Sequence, residues 1–407
     1  MKVLQINAVY GYSSTGTIMK QIQDLALQSG IDARVAFSAG HGESSPSGTE
    51  KGAAIEIGDW TDHKLHALLS RIEGKQAYFS KGATRKLLRY IDQFSPDVVH
   101  LHNLHSNYIN LNLLLEYLAE KDIATVITMH DCWYFTGGCF HYADAGCDKW
   151  KSGCGQCPKQ KSDTPALLRD RSAEILRDRA KYLNKIPRLT MVGCSEWIAE
   201  ECKKSVLGNR NIITIHNGFN FDNFHPTPSD LRIIYGLEDK YVLIGPASKW
   251  LSEVNKDTYR HFIENMDKDM VLVLFGHPAP DTPAPENVRF IGYVRNPKEM
   301  AAIYSMGDVM VNCSREDTLS SINIEAQACG TPAVVYDATG NPETVAPGIG
   351  ITVPTGDYTE LLASVKQMKQ KNSKTEGEKS REYVNMNFNP KINYSRYIDL
   401  YRNIISK

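Results

Sequence analysis

The stretch from Gly307 to Glu343, GDVMVNCSREDTLSSINIEAQACGTPAVVYDATGNPE, constrains this chain more than any other. Val309–Cys313 is a short apolar run that reads as a buried parallel strand. It gives way to the polar loop Ser314-Arg315-Glu316-Asp317, after which Ser320 or Ser321 is placed to cap a helix carrying Ile322, Ile324, Glu325 and Ala328. Gly330 suits the position just past the helix end, Thr331-Pro332 stops the helix, and Pro332–Tyr336 is the next strand. A strand–loop–helix–strand unit belongs in a parallel α/β sheet, whose ligands lie beyond the carboxyl ends of the strands. Asp317 and Glu325 stand there, one before the helix and one just inside it. Carboxylates in that position suit hydroxyl groups, and the free amides of the helix N-terminus suit a phosphate. A sugar nucleotide offers both.

The rest of the chain repeats the alternation. Strands are expected at Val3–Asn7, Asp97–His102, Thr125–His130, Leu189–Ser195 and Asn211–His216, with helices in most of the gaps. A second series follows at Tyr241–Ala247, Met270–Phe275, Val288–Tyr293, Val309–Cys313 and Pro332–Tyr336, with Gly350–Gly356 as a final strand or loop. Ser38–Gly58, rich in Gly, Ser and Glu, reads as one long surface loop. Ala8–Thr17, between the first strand and first helix, is a glycine and hydroxyl loop that permits close backbone approach to a ligand. It lacks both the dinucleotide fingerprint and the lysine of a P-loop. Two consecutive series imply two doubly wound α/β domains facing across a cleft, at 1–218 and 219–387. The tail at 388–407 is a helix with Tyr394, Tyr397, Ile398, Tyr401 and Ile404 on one stripe, expected to pack back on the first domain.

A length of 407 residues supports two or three domains, each with its own core. The net charge of −1 argues against nucleic acid as a partner. No apolar run approaches the roughly 20 residues of a membrane span, and the N-terminus reads as a strand rather than a signal peptide, so a cytoplasmic protein is expected. Nine cysteines in such a chain favour reduced thiols or metal ligation over a disulfide framework.

Several segments carry a resemblance to a known family. Asn217-Gly218-Phe219 through Asp222, Phe224 and Pro226 resembles the NG-x-D signature of family-4 glycosyltransferases of the GT-B fold. Asp317 to Glu325, continued by Ala326-Gln327-Ala328-Cys329-Gly330-Thr331-Pro332, resembles their E-x7-E motif, and Thr339-Gly340-Asn341-Pro342-Glu343 the GG-x-PE that follows. Gly292-Tyr293 with Ile303–Val309 resembles their loop and helix near the nucleotide base. His130-Asp131, Trp133, Gly137 and Gly138 resemble the HD-x-W-x-x-x-GGC of a subgroup that builds surface polysaccharides.

The resemblance implies roles. Glu325 would bind the ribose hydroxyls and Asp317 would face the donor sugar. The amides of Thr318, Leu319 and Ser320 would hold the sugar or diphosphate. Tyr293 would lie near the base, His130 beside the donor sugar across the cleft, and Gly16 near the diphosphate. Asp317 is shorter than the usual Glu. The lysine that relatives place after the first strand of the second domain falls on Val254, leaving Lys249 and Lys256 as substitutes. The implied activity is a retaining hexosyl transfer from a nucleotide sugar, a UDP-sugar, to a lipid-linked saccharide in bacterial polysaccharide or capsule assembly. No cofactor is expected: the chain is taken to lack the D-x-D motif with which other transferases hold a cation. The alternatives are a catalytically silent scaffold partner of an active transferase and a non-hydrolysing sugar-nucleotide epimerase of the same fold.

Two further features stand apart. Cys139, His141, Cys147, Cys154 and Cys157 lie within nineteen residues, and Cys154-Gly155-Gln156-Cys157 has the knuckle spacing of structural zinc. Zinc on Cys139, Cys147, Cys154 and Cys157, reduced thiols and disulfides all fit. From Asp148 to Arg188 eleven Lys or Arg face five Asp or Glu, and Leu167–Leu183 is amphipathic. Such a segment suits either solvent or an anionic membrane surface, which would make the protein peripheral on the inner face of the membrane.

Overall fold

The computed structural model describes residues 1–38, 53–163, 165–276, 284–371 and 373–406. The chain divides into two units, Met1–Asn217 with Lys391–Lys407, and Gly218–Pro390.

In the first unit the described strands are β1 (Lys2–Asn7), β2 (Asp32–Ser38), β3 (Ala54–Ile57), β4 (Val98–Leu101), β5 (Ala124–Met129), β6 (Leu189–Gly193) and β7 (Asn211–Thr214). They form one parallel sheet in the order β3-β2-β1-β4-β5-β6-β7. β1 is flanked by β2 (Lys2 opposite Asp32) and β4 (Val3 opposite Val98), so the winding reverses between β1 and β4. Every residue of β4, β5 and β6 is buried, because helices cover both faces. Those helices are α1 (Ser13–Gln28), α2 (Trp60–Glu73), α3 (Lys81–Phe94), α4 (Leu111–Glu120), α5 (Ser172–Leu183) and α6 (Glu196–Lys203). Local chemistry sets several ends: Asp59, Asn110 and Ser195 accept from Asp62, Leu113 and Ile198 amides at the starts of α2, α4 and α6. Gly74, at φ 70°, closes α2. The C-terminal helix Pro390–Ile405 lays Tyr394, Tyr397, Ile398, Tyr401 and Ile404 into a core shared with Val3, Ile22, Val98 and Val126.

One expectation is corrected. Ser38 ends β2, and Ala54–Ile57 is an edge strand pairing with it from Val35 opposite Ala54. Four residues, of which Ile57 alone is buried, set among glycines and serines, give too short a period for sequence reasoning to detect. The remainder of the expected loop, 39–52, lies outside the described residues.

The second unit holds β8 (Tyr241–Pro246), β9 (Met270–Phe275), β10 (Val288–Ile291), β11 (Val309–Asn312), β12 (Ala333–Asp337) and β13 (Ile351–Pro354), all parallel, in the order β10-β9-β8-β11-β12-β13. Its helices are α7 (Leu231–Ile234), α8 (Ala247–Trp250), α9 (Lys256–Asn265), α10 (Pro297–Met306), α11 (Ser321–Ala328), α12 (Tyr358–Lys369) and α13 (Ser373–Asn387). Alternate residues of each strand serve two cores. Leu243, Val311 and Val334 join Trp250, Phe262 and Leu361 on one face. Val242, Met310 and Val335 join Tyr304 and Ala326 on the other. Burial on both faces explains why these strands read as unbroken apolar runs. The winding reverses between β8 and β11, where a doubly wound sheet opens its crevice for a ligand.

Candidate functional site

At that reversal two loops meet, Ala247–Asn255 after β8 and Cys313–Ser320 after β11. Trp250 anchors the first. Its indole donates to the Val311 carbonyl at 3.1 Å, in space that a side chain at Gly245 would fill, 2.2 Å from Nε1. Asn255 then joins the loops. Its amide donates to Lys249 O (3.1 Å) and Cys313 O (2.9 Å), and its oxygen accepts from Arg315 Nε at 3.1 Å. Burial pushes the Cys313 thiol up to about 12, against the pull of the nearby Lys249 and Arg315 charges. Among the described residues Arg315 makes no ion pair. Sequence reasoning missed Asn255 and Arg315, since neither stands at a motif position and their meeting depends on β8 and β11 being neighbours.

The loop bearing Asp317 is clamped from behind. The Asp317 amide donates to Thr339 Oγ1 (2.8 Å), and the Gly340 amide to the Asp317 carbonyl (2.9 Å). A Cβ on Gly340 would sit 1.9 Å from the Thr318 carbonyl, so only glycine fits there. Thr318, Leu319 and Ser320 are buried, and the Thr318 hydroxyl has no partner among the described residues. The expected side-chain cap on α11 is corrected. Ser320 is the N-cap residue, but its hydroxyl accepts from Asn312 Nδ2 at 3.1 Å instead of from an α11 amide. The first turn of α11 therefore keeps amides without a side-chain cap, as an anion site requires.

Glu325 lies in α11, partly buried, with the Tyr304 hydroxyl donating to Oε2 at 2.9 Å. Burial raises its carboxyl to about 7, the Tyr304 bond opposing this. The structure thus places Asp317, Thr318, Leu319 and Ser320 at the entry to α11 and Glu325 in the middle of that helix, with Lys249 across the loop seam. Lys256 is exposed and ion-paired with Glu253, so its charge is already engaged. Val254 is 52 % exposed and supplies no charge. Tyr293 follows β10, 74 % exposed, with the Arg295 guanidinium 6.0 Å from its ring centre.

In the first unit Gly16 lies in the first turns of α1, where a Cβ would press on Val9 and the Gly11 amide at 3.1 and 3.3 Å. His130 directly follows β5, and its Nε2 is 3.1 Å from His102 Nδ1. Asp131 starts a 3₁₀ turn, Cys132–Phe135, accepting from the Trp133 amide at 2.9 Å, with His105 Nε2 3.2 Å from its other oxygen. Arg179 holds this turn. It stacks 3.8 Å over the Trp133 ring and donates to the Trp133 and Thr136 carbonyls, and burial lowers its guanidinium to about 10. This overturns the expectation that Arg179 belongs to a solvent- or membrane-facing basic surface, since it is 3 % exposed.

All nine cysteines are free thiols. Burial raises Cys139 to about 12, Cys154 to about 11, and Cys157 above its usual value. Among the described residues no three His, Cys, Asp or Glu side chains are arranged to hold a metal ion, so the zinc reading rests on spacing alone. One D-x-D tripeptide does occur, Asp267-Lys268-Asp269, correcting the expectation that there is none. It precedes β9, at the amino end of the sheet, and Lys366 and Lys369 take its carboxylates at 2.9, 3.2 and 2.6 Å.

Comparison with known proteins bears on the family and the fold. Residues 61–223 match the family model described as Glycosyltransferase Family 4, and residues 257–386 the model described as Glycosyl transferases group 1. The chain is 23 % identical, over 89 % of both chains, to WcaC of Escherichia coli (strain K12), a glycosyl transferase assigned to colanic acid biosynthesis. Among solved structures it superposes on sucrose-phosphate synthase from Thermosynechococcus elongatus with a TM-score of 0.69, at 16 % identity over 100 % of this chain and 99 % of that one. It superposes on Anabaena HepE in complex with UDP-glucose with a TM-score of 0.62, at 15 % identity over 99 % and 100 %. At these identities the structural likeness establishes the fold.

Proposed function

We propose that this chain, which belongs to the GT-B glycosyltransferases, transfers a hexosyl group from a UDP-sugar to a lipid-linked saccharide in the assembly of a bacterial exopolysaccharide. The observation that carries the reading is the start of α11. Uncapped amides there suit a diphosphate, Glu325 suits a ribose diol, and Asp317 stands at the head of the same loop. WcaC supports the polysaccharide context, and the UDP-glucose complex of HepE supports the donor.

In this mechanism Glu325 grips the ribose and the Thr318–Ser320 amides take the diphosphate. Lys249 and Arg315 supply positive charge as negative charge grows on the leaving phosphate. Asp317 faces the transferring sugar, a contact that the family resemblance alone also assigns to His130. The acceptor hydroxyl enters on the face the diphosphate leaves, passing its proton to a departing phosphate oxygen. The anomeric configuration is then retained, and no divalent metal is needed.

Exposed Leu167 and Leu168, beside exposed Arg169, suit contact with a lipid surface, which would deliver the acceptor to a peripheral enzyme. No helix among the described residues is long and apolar enough to cross a membrane.

A second reading, a silent scaffold partner, is favoured by exposed Val254 and by the Glu253–Lys256 pair, which leave that loop poor in free charge. The test is incubation with sugar nucleotides and a lipid-diphosphate saccharide, in EDTA. Nucleotide release with an α-linked product from an α-linked donor supports the proposal. A β-linked product refutes retention, and a requirement for added magnesium or manganese refutes metal independence. Interconversion of the sugar without transfer indicates an epimerase, and no turnover indicates the scaffold.

A further inference from the structure

A line of buried polar side chains runs beneath His130. Gln5 of β1 is fully buried, and its Nε2 lies 3.2 Å from the Met19 carbonyl of α1. A carbonyl oxygen only accepts, so the amide nitrogen of Gln5 must face it. The amide oxygen then faces His102, 3.0 Å from Nε2. This oxygen also only accepts, so His102 carries its proton on Nε2. His102 is fully buried, and among the described residues the other hydrogen bond of its ring is to a second imidazole, so burial holds it well below its usual value and neutral. Its Nδ1 is therefore a lone pair. His130 Nε2, 3.1 Å away with the rings stacked at 17°, must donate to it.

His130 is itself neutral, lowered to about 4 by burial. Its proton is committed to His102, so Nδ1 is a bare acceptor. Among the described residues nothing hydrogen-bonds Nδ1, and the residue is only partly buried. Three links, beginning at a backbone carbonyl that can only accept, thus determine which atom of His130 a ligand meets.

We propose that Gln5 and His102 are positioning residues that lock His130 as its Nε2–H tautomer, so that it selects a transferring sugar bearing a hydroxyl over one bearing a carboxylate. A hydroxyl donates to Nδ1, whereas a carboxylate would set its own lone pairs against it. Sites built around one polar contact reject analogues that cannot complete it. The inference rests on the reading above that His130 contacts the transferring sugar. Its first half, the tautomer, is independent of any substrate.

Long-range proton–nitrogen NMR on the full histidine-labelled chain at neutral pH tests the lock directly, with His102→Asn and His130→Asn assigning the signals. Protonated Nε2 and bare Nδ1 on both rings are expected, and an Nδ1–H or doubly protonated His130 would overturn the proposal. Selectivity is read as the ratio of kcat/KM for a neutral UDP-hexose to that for the matching UDP-uronate. Gln5→Leu and His102→Leu should lower this ratio about ten-fold. His102→Asn, whose amide oxygen replaces the Nδ1 acceptor, should restore most of it. Variants that melt like the parent yet keep the parental ratio would show a structural role alone. If the parent transfers no sugar, the reading of function fails and the selectivity with it, while the NMR result still decides the lock.

Discussion

The hydroxyl of Tyr304 donates to the carboxylate of Glu325 across 2.9 Å, joining the last turns of α10 to the middle of α11. The bond opposes the burial that raises Glu325 to about 7. Because the folded value lies above the usual 4.5, protonated Glu325 is the favoured folded form. Its relative stabilisation is complete below about pH 4.5 and is lost as the pH rises through about 7. A ribose diol donates to the ionised form, so donor affinity should rise from about pH 6 to about pH 8. Tyr304→Phe should move the midpoint upward. Calorimetric titration with UDP at each pH measures both; a flat profile in the parent would remove Glu325 from the site.

Asp317 and Glu325 should separate kinetically. Glu325→Ala removes a hydrogen-bonded charge, worth about 1.5–3 kcal/mol, and should weaken UDP by roughly ten- to a hundred-fold. Asp317→Ala should lower kcat more than it raises KM, as expected of a group that acts on the sugar in the transition state. Unchanged kinetics in both folded variants would relocate the site.

The seam at Asn255 predicts a combined effect. Asn255→Ala strips donors from the Lys249 and Cys313 carbonyls, which should cost about 1–3 kcal/mol of stability. Arg315→Gln should leave the melting temperature near that of the parent but weaken UDP while sparing uridine. Equal losses for nucleotide and nucleoside would show that Arg315 does not serve the phosphates.

Metal content decides the cysteine cluster. Elemental analysis of protein purified without a metal-affinity step should give about one zinc per chain if Cys139, Cys147, Cys154 and Cys157 close a knuckle. A metal-free protein with unchanged melting would leave four free thiols, of which burial holds Cys139, Cys154 and Cys157 above the usual value and so protonated.

Membrane contact can be read by sedimentation with anionic vesicles. Replacing exposed Arg169 and Arg177 with Glu, together with Leu167→Ser and Leu168→Ser, should release the protein, and salt should do the same. Arg179→Glu should instead destabilise the fold, because it buries a carboxylate against the Trp133 and Thr136 carbonyls. Binding indifferent to salt and to the four substitutions would exclude this surface.

The sequence by itself determined most of the strands, though not Asp32–Ser38. Runs such as Val309–Cys313 and Met270–Phe275 are apolar throughout because both faces of each sheet are covered, and that demand is written residue by residue. It also determined the motif loop, where Gly340 is required by a carbonyl 1.9 Å from where its Cβ would lie. Short edge pairing at Ala54–Ile57 was not legible, since four residues carry too little period. Only the tertiary structure decided the uses of particular polar groups. Asn255 meets Arg315 because β8 and β11 are neighbours across 66 residues of chain, from Leu243 to Val309. Arg179, read as a surface cation, is buried over Trp133. His102 meets Gln5 across β1 and β4. A hydrogen bond depends on ångström-scale placement of groups far apart in sequence, whereas hydrophobic patterning depends only on which side of a strand each residue occupies.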